Sequence, residues 1–219
     1  MLSNQALADL EITGYPAETV LQANKLLRDI GIQVVNGQAM DIAFEGKQGN
    51  ITISEYLNMI RGKTGVLIEG SIRMGALLGS ADAQTTALLR EYGQESGLAF
   101  QIIDDALGIW GDAKKTGKSV DSDIRQRKNS FPIVYGFNTA GGSAKAELEA
   151  IYGQKGEMSD ADVVRVKEIL EDVGSKDKTR AVGVQALEKA VTAIDQTTIG
   201  ERFKKDYRNL AEQFASRQY

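Results

Sequence analysis

Two adjacent aspartates, Asp104 and Asp105, stand inside an otherwise apolar stretch, Gly97-Leu98-Ala99-Phe100-Gln101-Ile102-Ile103-Asp104-Asp105-Ala106-Leu107-Gly108. At about 100° per residue, Gly97, Gln101, Asp104, Asp105 and Gly108 fall within roughly 100° of arc, and the apolar residues cover the remainder. A helix that is apolar over most of its circumference is buried, so this stripe is expected to face an internal cavity, where paired carboxylates need cations or donors. A solvated stripe on a surface helix is the alternative. Two further clusters could do chemistry. Gln38, Asp41 and Glu45 share a face by i, i+3 and i+4 spacing, as an exposed polar face would too. Lys63, in Gly62-Lys63-Thr64-Gly65, lies between small residues and among Ile60, Val66 and Leu67; such a lysine is either snorkelling or waiting for an anion. The charged stretch after the acidic stripe adds Lys118 and Lys128.

The composition limits what these groups can do. Among 219 residues there is no histidine and no cysteine, which excludes Ser-His-Asp and Cys-His catalysis, thiolate clusters, zinc sites of the usual kind and disulfides. A metal must be held by oxygen, so Mg²⁺ is the default, with Mn²⁺ or Ca²⁺ as its hard-ion alternatives. Proton transfer falls to Asp, Glu, Lys, Tyr or the substrate itself. Mg²⁺ typically binds one or two carboxylates together with substrate phosphate oxygens. Asp104 and Asp105 therefore read as half of a metal site completed by ligand, with Lys63, Lys118 and Lys128 supplying the remaining charge. Carboxylates, lysines and apolar helical walls together suit a diphosphate with a hydrophobic tail. A net charge of −4 argues against a general nucleic-acid binder, and no apolar run approaches a membrane span. The opening Met-Leu-Ser-Asn-Gln-Ala lacks the basic-then-apolar pattern of a secretory signal, so a cytoplasmic location is expected.

The elements that must position these groups are helical. Prolines stand only at 16 and 132, and the proline-free span between them favours long helices. Pro16 reads as a first-turn proline opening a helix whose apolar positions are Val20, Leu26, Leu27, Ile30, Val34 and Val35. Thr52-Ile53-Ser54-Glu55 is a capping-box pattern that predicts a second helix running to about Leu78. Asp82 is expected to cap a third, reaching about Ile109. Residues 111–129 read as the one long loop. Beyond Pro132 the pattern predicts a short helix, a break at Gly141-Gly142-Ser143, helices near 144–152 and from Ser159, and amphipathic helices near 176–198 and 201–216. Nothing alternates with period two long enough to be a strand. The expected fold class is all-α, a helical bundle forming one domain over residues 1–219.

Phe100-Gln101-Ile102-Ile103-Asp104-Asp105, then Leu107-Gly108-Ile109-Trp110-Gly111-Asp112, Thr116-Gly117-Lys118, Asp123 and Arg127-Lys128-Asn129-Ser130-Phe131-Pro132, resemble the second aspartate-rich region of trans-isoprenyl diphosphate synthases. Gly37-Gln38-x-x-Asp41 and Lys63-Thr64-Gly65, with Gly75-Ala76 after them, resemble two further motifs of that family in the same order, and the likeness runs from about Leu7 onward. The resemblance implies an isoprenoid synthase-like helical bundle in which Mg²⁺ and lysines help an allylic diphosphate to ionise before isopentenyl diphosphate attacks it. It implies Asp104 and Asp105 as Mg²⁺ ligands, with Asp41 and Gln101 lining and orienting the same metal site, and Lys63, Lys118 and Lys128 as diphosphate contacts supported by Thr64 and Gln101. The catalytic set it implies is Lys63, Gln101 and Asp104.

Two departures stand out. The third aspartate of the second motif is Gly108, and the family's first Asp-Asp-x-x-Asp motif has no counterpart, since Asp104-Asp105 is the chain's single Asp-Asp pair. The expectation is a domain shortened at its N-terminus. It would be a segment of a synthase, one piece of a split enzyme, or a silent regulatory subunit of a full-length synthase; a terpene cyclase-like diphosphate lyase is a further alternative. A homodimer, or association with a chain supplying the first motif, is expected to cover the apolar helices around 17–45 and 53–78.

Overall fold

A computed structural model describes residues 2–111 and 121–216, with side chains at all of these except residues 2–4 and 11. Every regular element among the described residues is a helix: α1 (Leu2–Ile12), α2 (Ala17–Phe44), α3 (Ile53–Ile60), a π-turn (Arg61–Gly65), α4 (Val66–Leu78), α5 (Ala83–Trp110), α6 (Ser122–Arg125), α7 (Phe131–Thr139), α8 (Gly142–Gly153), α9 (Asp160–Asp172), α10 (Ser175–Asp195) and α11 (Glu201–Ala215). The expected all-α bundle is what the chain forms. Apolar periodicity and caps place most ends. Thr52 accepts from the Glu55 backbone N–H while the Glu55 carboxylate accepts from the Thr52 N–H, closing the capping box. Asp82 accepts from the Thr85 N–H and starts α5, and Ser159 does the same for Asp162 at α9.

α5 is the axial helix. It packs along α4 on one side and α10 on the other, and Tyr92, Ala99, Ile102 and Ile109 on it are fully buried. Its C-terminal end enters a core with α6 to α9, built on Ile109, Ile124, Ile133, Phe137, Leu148, Val166 and Leu170. A second core gathers α3, α5 and α7 around Tyr56, Ile60, Ile102 and Phe131. That convergence sets three elements around the carboxylates of α5.

The structure differs from the sequence reading in four places, one of them α6, a helical turn at Ser122–Arg125 inside the stretch read as a loop. Residues 2–12 form a helix that the periodicity did not announce. The predicted break at Gly141-Gly142-Ser143 falls slightly earlier, at residues 140–141, and α8 begins at Gly142, whose φ of 55° is a left-handed conformation that glycine adopts at no steric cost. The predicted helix from Thr52 to Leu78 runs unbroken over residues 53–78 but is not α-helical throughout. At Arg61–Gly65 it widens into one π-turn, with the Val66 N–H donating to the Arg61 carbonyl five residues back.

Glycines sit where the helices cross that turn. A methyl on Gly37 of α2 would overlap the backbone nitrogen of Lys63, and one on Gly62 would lie 3.3 Å from the Gln33 carbonyl oxygen. On the other side, a methyl on Gly97 of α5 would lie 2.7 Å from Gly65 Cα. The backbones of α2, the π-turn and α5 are therefore as close as backbones can come. Replacing Gly37 or Gly97 by Ala is expected to destabilise the chain by about 1–3 kcal/mol through overpacking. Gly31→Ala, on an exposed turn of α2 with nothing within 4 Å, is expected to stabilise by about 0.5–1 kcal/mol through helix propensity. Urea melts of the three variants check the contrast.

Candidate active site

α3, α5 and the N-terminus of α7 meet at Asp105. Its Oδ2 accepts from the Tyr56 hydroxyl of α3 and, at 2.8 Å, from the Phe131 backbone N–H at the start of α7. Its Oδ1 accepts from Gln101 Nε2 at 3.1 Å. Gln101 is itself fixed, because its Oε1 accepts from the Thr64 hydroxyl at 2.8 Å. A relay thus runs from the π-turn through one turn of α5 to the buried carboxylate. Burial pushes Asp105 up to about 7, and nearby Asp123 adds to the rise, while the Tyr56, Phe131 and Gln101 donors hold it down.

The cations come from flanking elements. Lys63 Nζ lies 2.6 Å from Asp41 Oδ2, with both side chains about one-third exposed (38% and 34%). Gln38 reaches the same oxygen at 3.4 Å. Lys128 Nζ lies 2.8 Å from Asp123 Oδ1, whose side chain is only 7% exposed. Burial works against the Lys128 ammonium, but its pairing with Asp123, helped by the charges of Asp105 and Asp104, raises it above its ordinary value.

These groups line one cavity of about 810 Å³. Asp41, Glu45 and Lys63 stand on one wall, Gln101, Asp104 and Asp105 on another, and Asp123, Arg127 and Lys128 beside them. Of the residues singled out from sequence, Asp41, Lys63, Gln101, Asp104, Asp105 and Lys128 are brought together. Thr64 stands behind them through Gln101, and Lys118 lies outside the described residues. Gly97 and Gly108 are not part of a cavity-facing stripe, because both are packing contacts. The space over Gly108 holds the Asp123 carboxyl carbon, 2.5 Å from where a residue-108 Cβ would sit, so Asp123 fills the volume that a third aspartate of the motif would enter. Among the described residues no three carboxylates converge on one point. The donor set of Asp104 and Asp105 opening on a lysine-lined cavity still fits Mg²⁺, which keeps several waters and completes its octahedron with phosphate oxygens.

A family model for polyprenyl synthetase matches residues 1–173. The chain belongs to the polyprenyl synthetase family. Curated members of the family include a geranylfarnesyl diphosphate synthase from Aeropyrum pernix, 34% identical over 204 residues, an alignment covering 93% of this chain and 62% of that one. A geranylgeranyl diphosphate synthase from Mycobacterium tuberculosis is 35% identical over 184 residues, covering 84% of this chain and 52% of the other. Among solved structures, a polyprenyl synthetase from Streptomyces coelicolor A3(2) superposes with a TM-score of 0.85 at 30% identity, over 97% of this chain and 63% of that one. A geranylgeranyl pyrophosphate synthase from Corynebacterium glutamicum, complexed with isoprenyl diphosphate and magnesium, gives a TM-score of 0.83 at 26% identity, over 95% and 59%. The chain spans less than two thirds of the length of each of these polyprenyl synthetase relatives.

Sequence reasoning missed Tyr56 and Tyr152 at this site and gave Asp123 and Arg127 no role. Nothing local in the sequence marks either tyrosine, and the Tyr56 hydroxyl ends on a carboxylate 49 residues away. Asp123 and Arg127 lay inside the quoted motif, and only packing against Gly108 and the cavity gives them work.

Asp105 makes the metal-free chain pH-sensitive. Its ordinary value is 3.8 and its folded value about 7, so between these the folded state holds a proton that the unfolded chain has released. The stabilisation is fully present below pH 4 and is lost as pH rises through 7, at about 1.4 kcal/mol per unit of separation. In a chelating buffer, thermal stability is expected to fall between pH 5 and pH 8 more steeply for the parent chain than for Asp105→Asn. Parallel curves would contradict this.

Proposed function

We propose that the chain builds the diphosphate-ionising wall of a prenyltransferase that joins an allylic diphosphate to isopentenyl diphosphate. The observation that carries this reading is the single cavity in which Asp104 and Asp105 face Lys63 and Lys128. Mg²⁺ held there (or Mn²⁺, its hard-ion substitute) would supply Lewis-acid neutralisation of the departing diphosphate. Asp104 and Asp105 would be its protein ligands, and Asp41, reached by Lys63, would line the same site. Lys63 and Lys128 arrive already ordered by Asp41 and Asp123, so each is positioned for an incoming phosphate without a search over rotamers. Gln101, locked between Thr64 and Asp105, keeps the carboxylate in place. Lys118 is proposed as a further diphosphate contact. The allylic C–O bond breaks with its electron pair going to the diphosphate, the double bond of isopentenyl diphosphate attacks the cation, and the released diphosphate takes the proton. No histidine is required.

An aspartate pair with the one Mg²⁺ it would hold neutralises only part of the charge of a departing diphosphate. We therefore propose that carboxylates from outside these 219 residues, in the same polypeptide or a partner, complete the site. Support comes from α2, where Leu21, Ile32, Val35 and Ile42 are between 53% and 71% exposed and fall on one stripe of roughly 80°. Leu67 of α4 is also half exposed. Such a surface is suited to a second chain, a second copy being the simplest. No helix among the described residues is long and apolar enough to cross a membrane.

The chain alone, given Mg²⁺, isopentenyl diphosphate and geranyl or farnesyl diphosphate, is expected to show no robust turnover. Supplying a segment that carries Asp-Asp-x-x-Asp is expected to restore it, with Asp104→Ala then lowering kcat by about 100-fold or more. Robust turnover by the chain alone would sink the requirement for outside carboxylates. Turnover unaffected by Asp104→Ala would sink the assignment of this wall. Sedimentation at micromolar concentration is expected to show a dimer or a hetero-complex, and a compact monomer would contradict the covered stripe.

A further inference from the structure

Beside the two paired lysines the cavity holds a third cation that has no carboxylate partner among the described residues. Arg127 lines the cavity, and its Nη1 donates to the Gly156 carbonyl at 2.9 Å. Its Nε and Nη2 are buried and have no hydrogen-bond partner among the described residues. These two nitrogens form one edge of the guanidinium, the edge whose parallel N–H groups match two oxygens of a phosphoryl group. Tyr152 lines the same cavity and is only 6% exposed, and its buried hydroxyl also has no hydrogen-bond partner among the described residues. Its ring is pinned edge-on to Phe137, with centroids 5.2 Å apart. Burial and the charge of Asp123 push its phenol up, while Arg127 pulls it down, and the net rise leaves it a neutral donor.

The backbone of Arg127 is equally unusual. It adopts φ 50°, a left-handed conformation disfavoured for any residue carrying a Cβ. The conformation is held by the Arg127 N–H on the Ile124 carbonyl and by Gln48 Nε2, which donates to the Arg127 carbonyl at 2.7 Å. A glycine would satisfy the backbone there without strain. Arginine at this position puts Nε and Nη2 into a buried place where no group among the described residues accepts from them, a cost that an oxyanion ligand would reverse.

We propose that Arg127 and Tyr152 form an oxyanion subsite that grips one phosphate of the prenyl diphosphate. This rests on the reading of the cavity as a diphosphate site and adds to Lys63 and Lys128 a bidentate contact. Lys128 takes its charge partner from Asp123, whereas Arg127 has no carboxylate ion pair among the described residues. A tetrahedral oxyanion would accept from Nε, Nη2 and the Tyr152 hydroxyl together.

Titration calorimetry of the 219-residue chain with inorganic pyrophosphate and Mg²⁺ tests this, with inorganic phosphate as a parallel arm. Arg127→Gly is expected to weaken pyrophosphate binding by about 10- to 100-fold, as loss of charge-assisted bonds does. Its melting temperature should be unchanged or higher, because glycine relieves the left-handed backbone. Arg127→Lys keeps the charge without the fork and is expected not to restore binding. Tyr152→Phe removes only the hydroxyl and is expected to weaken binding by about three- to tenfold with no loss of melting temperature. Lys63→Ala, whose partner Asp41 is not deeply buried, reports on the cavity as a diphosphate site. If Lys63→Ala weakens binding while Arg127→Gly and Tyr152→Phe bind as the parent does, the subsite is overturned and the diphosphate reading stands. If Lys63→Ala also binds as the parent does, or the parent binds no pyrophosphate, both are overturned. Equal losses for free phosphate and pyrophosphate in Arg127→Gly, with Lys63→Ala affecting neither, would make the pocket a free-phosphate site and overturn its place in diphosphate recognition.

Discussion

The crossing of α2, the π-turn and α5 brings main chain against main chain, with Gly37 over Gly62 and Lys63 on one side and Gly97 over Gly65 on the other. That approach leaves no room for a Cβ and fixes the three helices to within a fraction of an ångström, because a packed interior does not deform smoothly. The site depends on it. A straight α-helix through residues 53–78 would turn Lys63 and Thr64 to other faces; the extra residue of the π-turn sends Lys63 toward Asp41 on α2 and Thr64 toward Gln101 on α5. The functional side chains are then held by rigid elements, which is the condition for a preorganised charge array.

Around this crossing the electrostatics are arranged in opposition. Asp105 is buried among donors that favour its charge and surroundings that penalise it, so its ionisation is poised and a bound cation can decide it. Asp41 and Asp123 hold two lysines in place at the cavity rim. Their ion pairs contribute little stability, being partly exposed on the lysine side, and their value is in order. A phosphate entering the cavity competes for cations that are already aimed at it.

The fold was legible where local chemistry decides. The capping box at Thr52, the cap at Asp82 and the near-continuous apolar faces announced α3 and α5, and the buried polar stripe pointed to a cavity at Asp104 and Asp105. What the sequence hid is set by tertiary approach. The π-turn carries no local signature beyond Gly62 and Gly65, since either glycine could equally mark a kink. Gly108 looked like a lost ligand, whereas in space it is the floor on which the Asp123 carboxylate rests. Tyr56 and Tyr152 have the periodicity of core residues, which they are; only their hydroxyls reach polar ground. Helix α1 is short and weakly patterned, with Leu7 buried in the core, and such a segment is helical by packing more than by propensity.

The central claim is that the carboxylates of α5 and the lysines of the π-turn and the α6–α7 connection act on one metal–diphosphate assembly. Crystals soaked with Mn²⁺ and pyrophosphate, measured at the manganese absorption edge, address it directly. The expected result is an anomalous peak ligated by Asp104 or Asp105, with pyrophosphate oxygens between it and the ammonium groups of Lys63 and Lys128. Manganese bound elsewhere, or pyrophosphate lodged away from both lysines, would contradict the account.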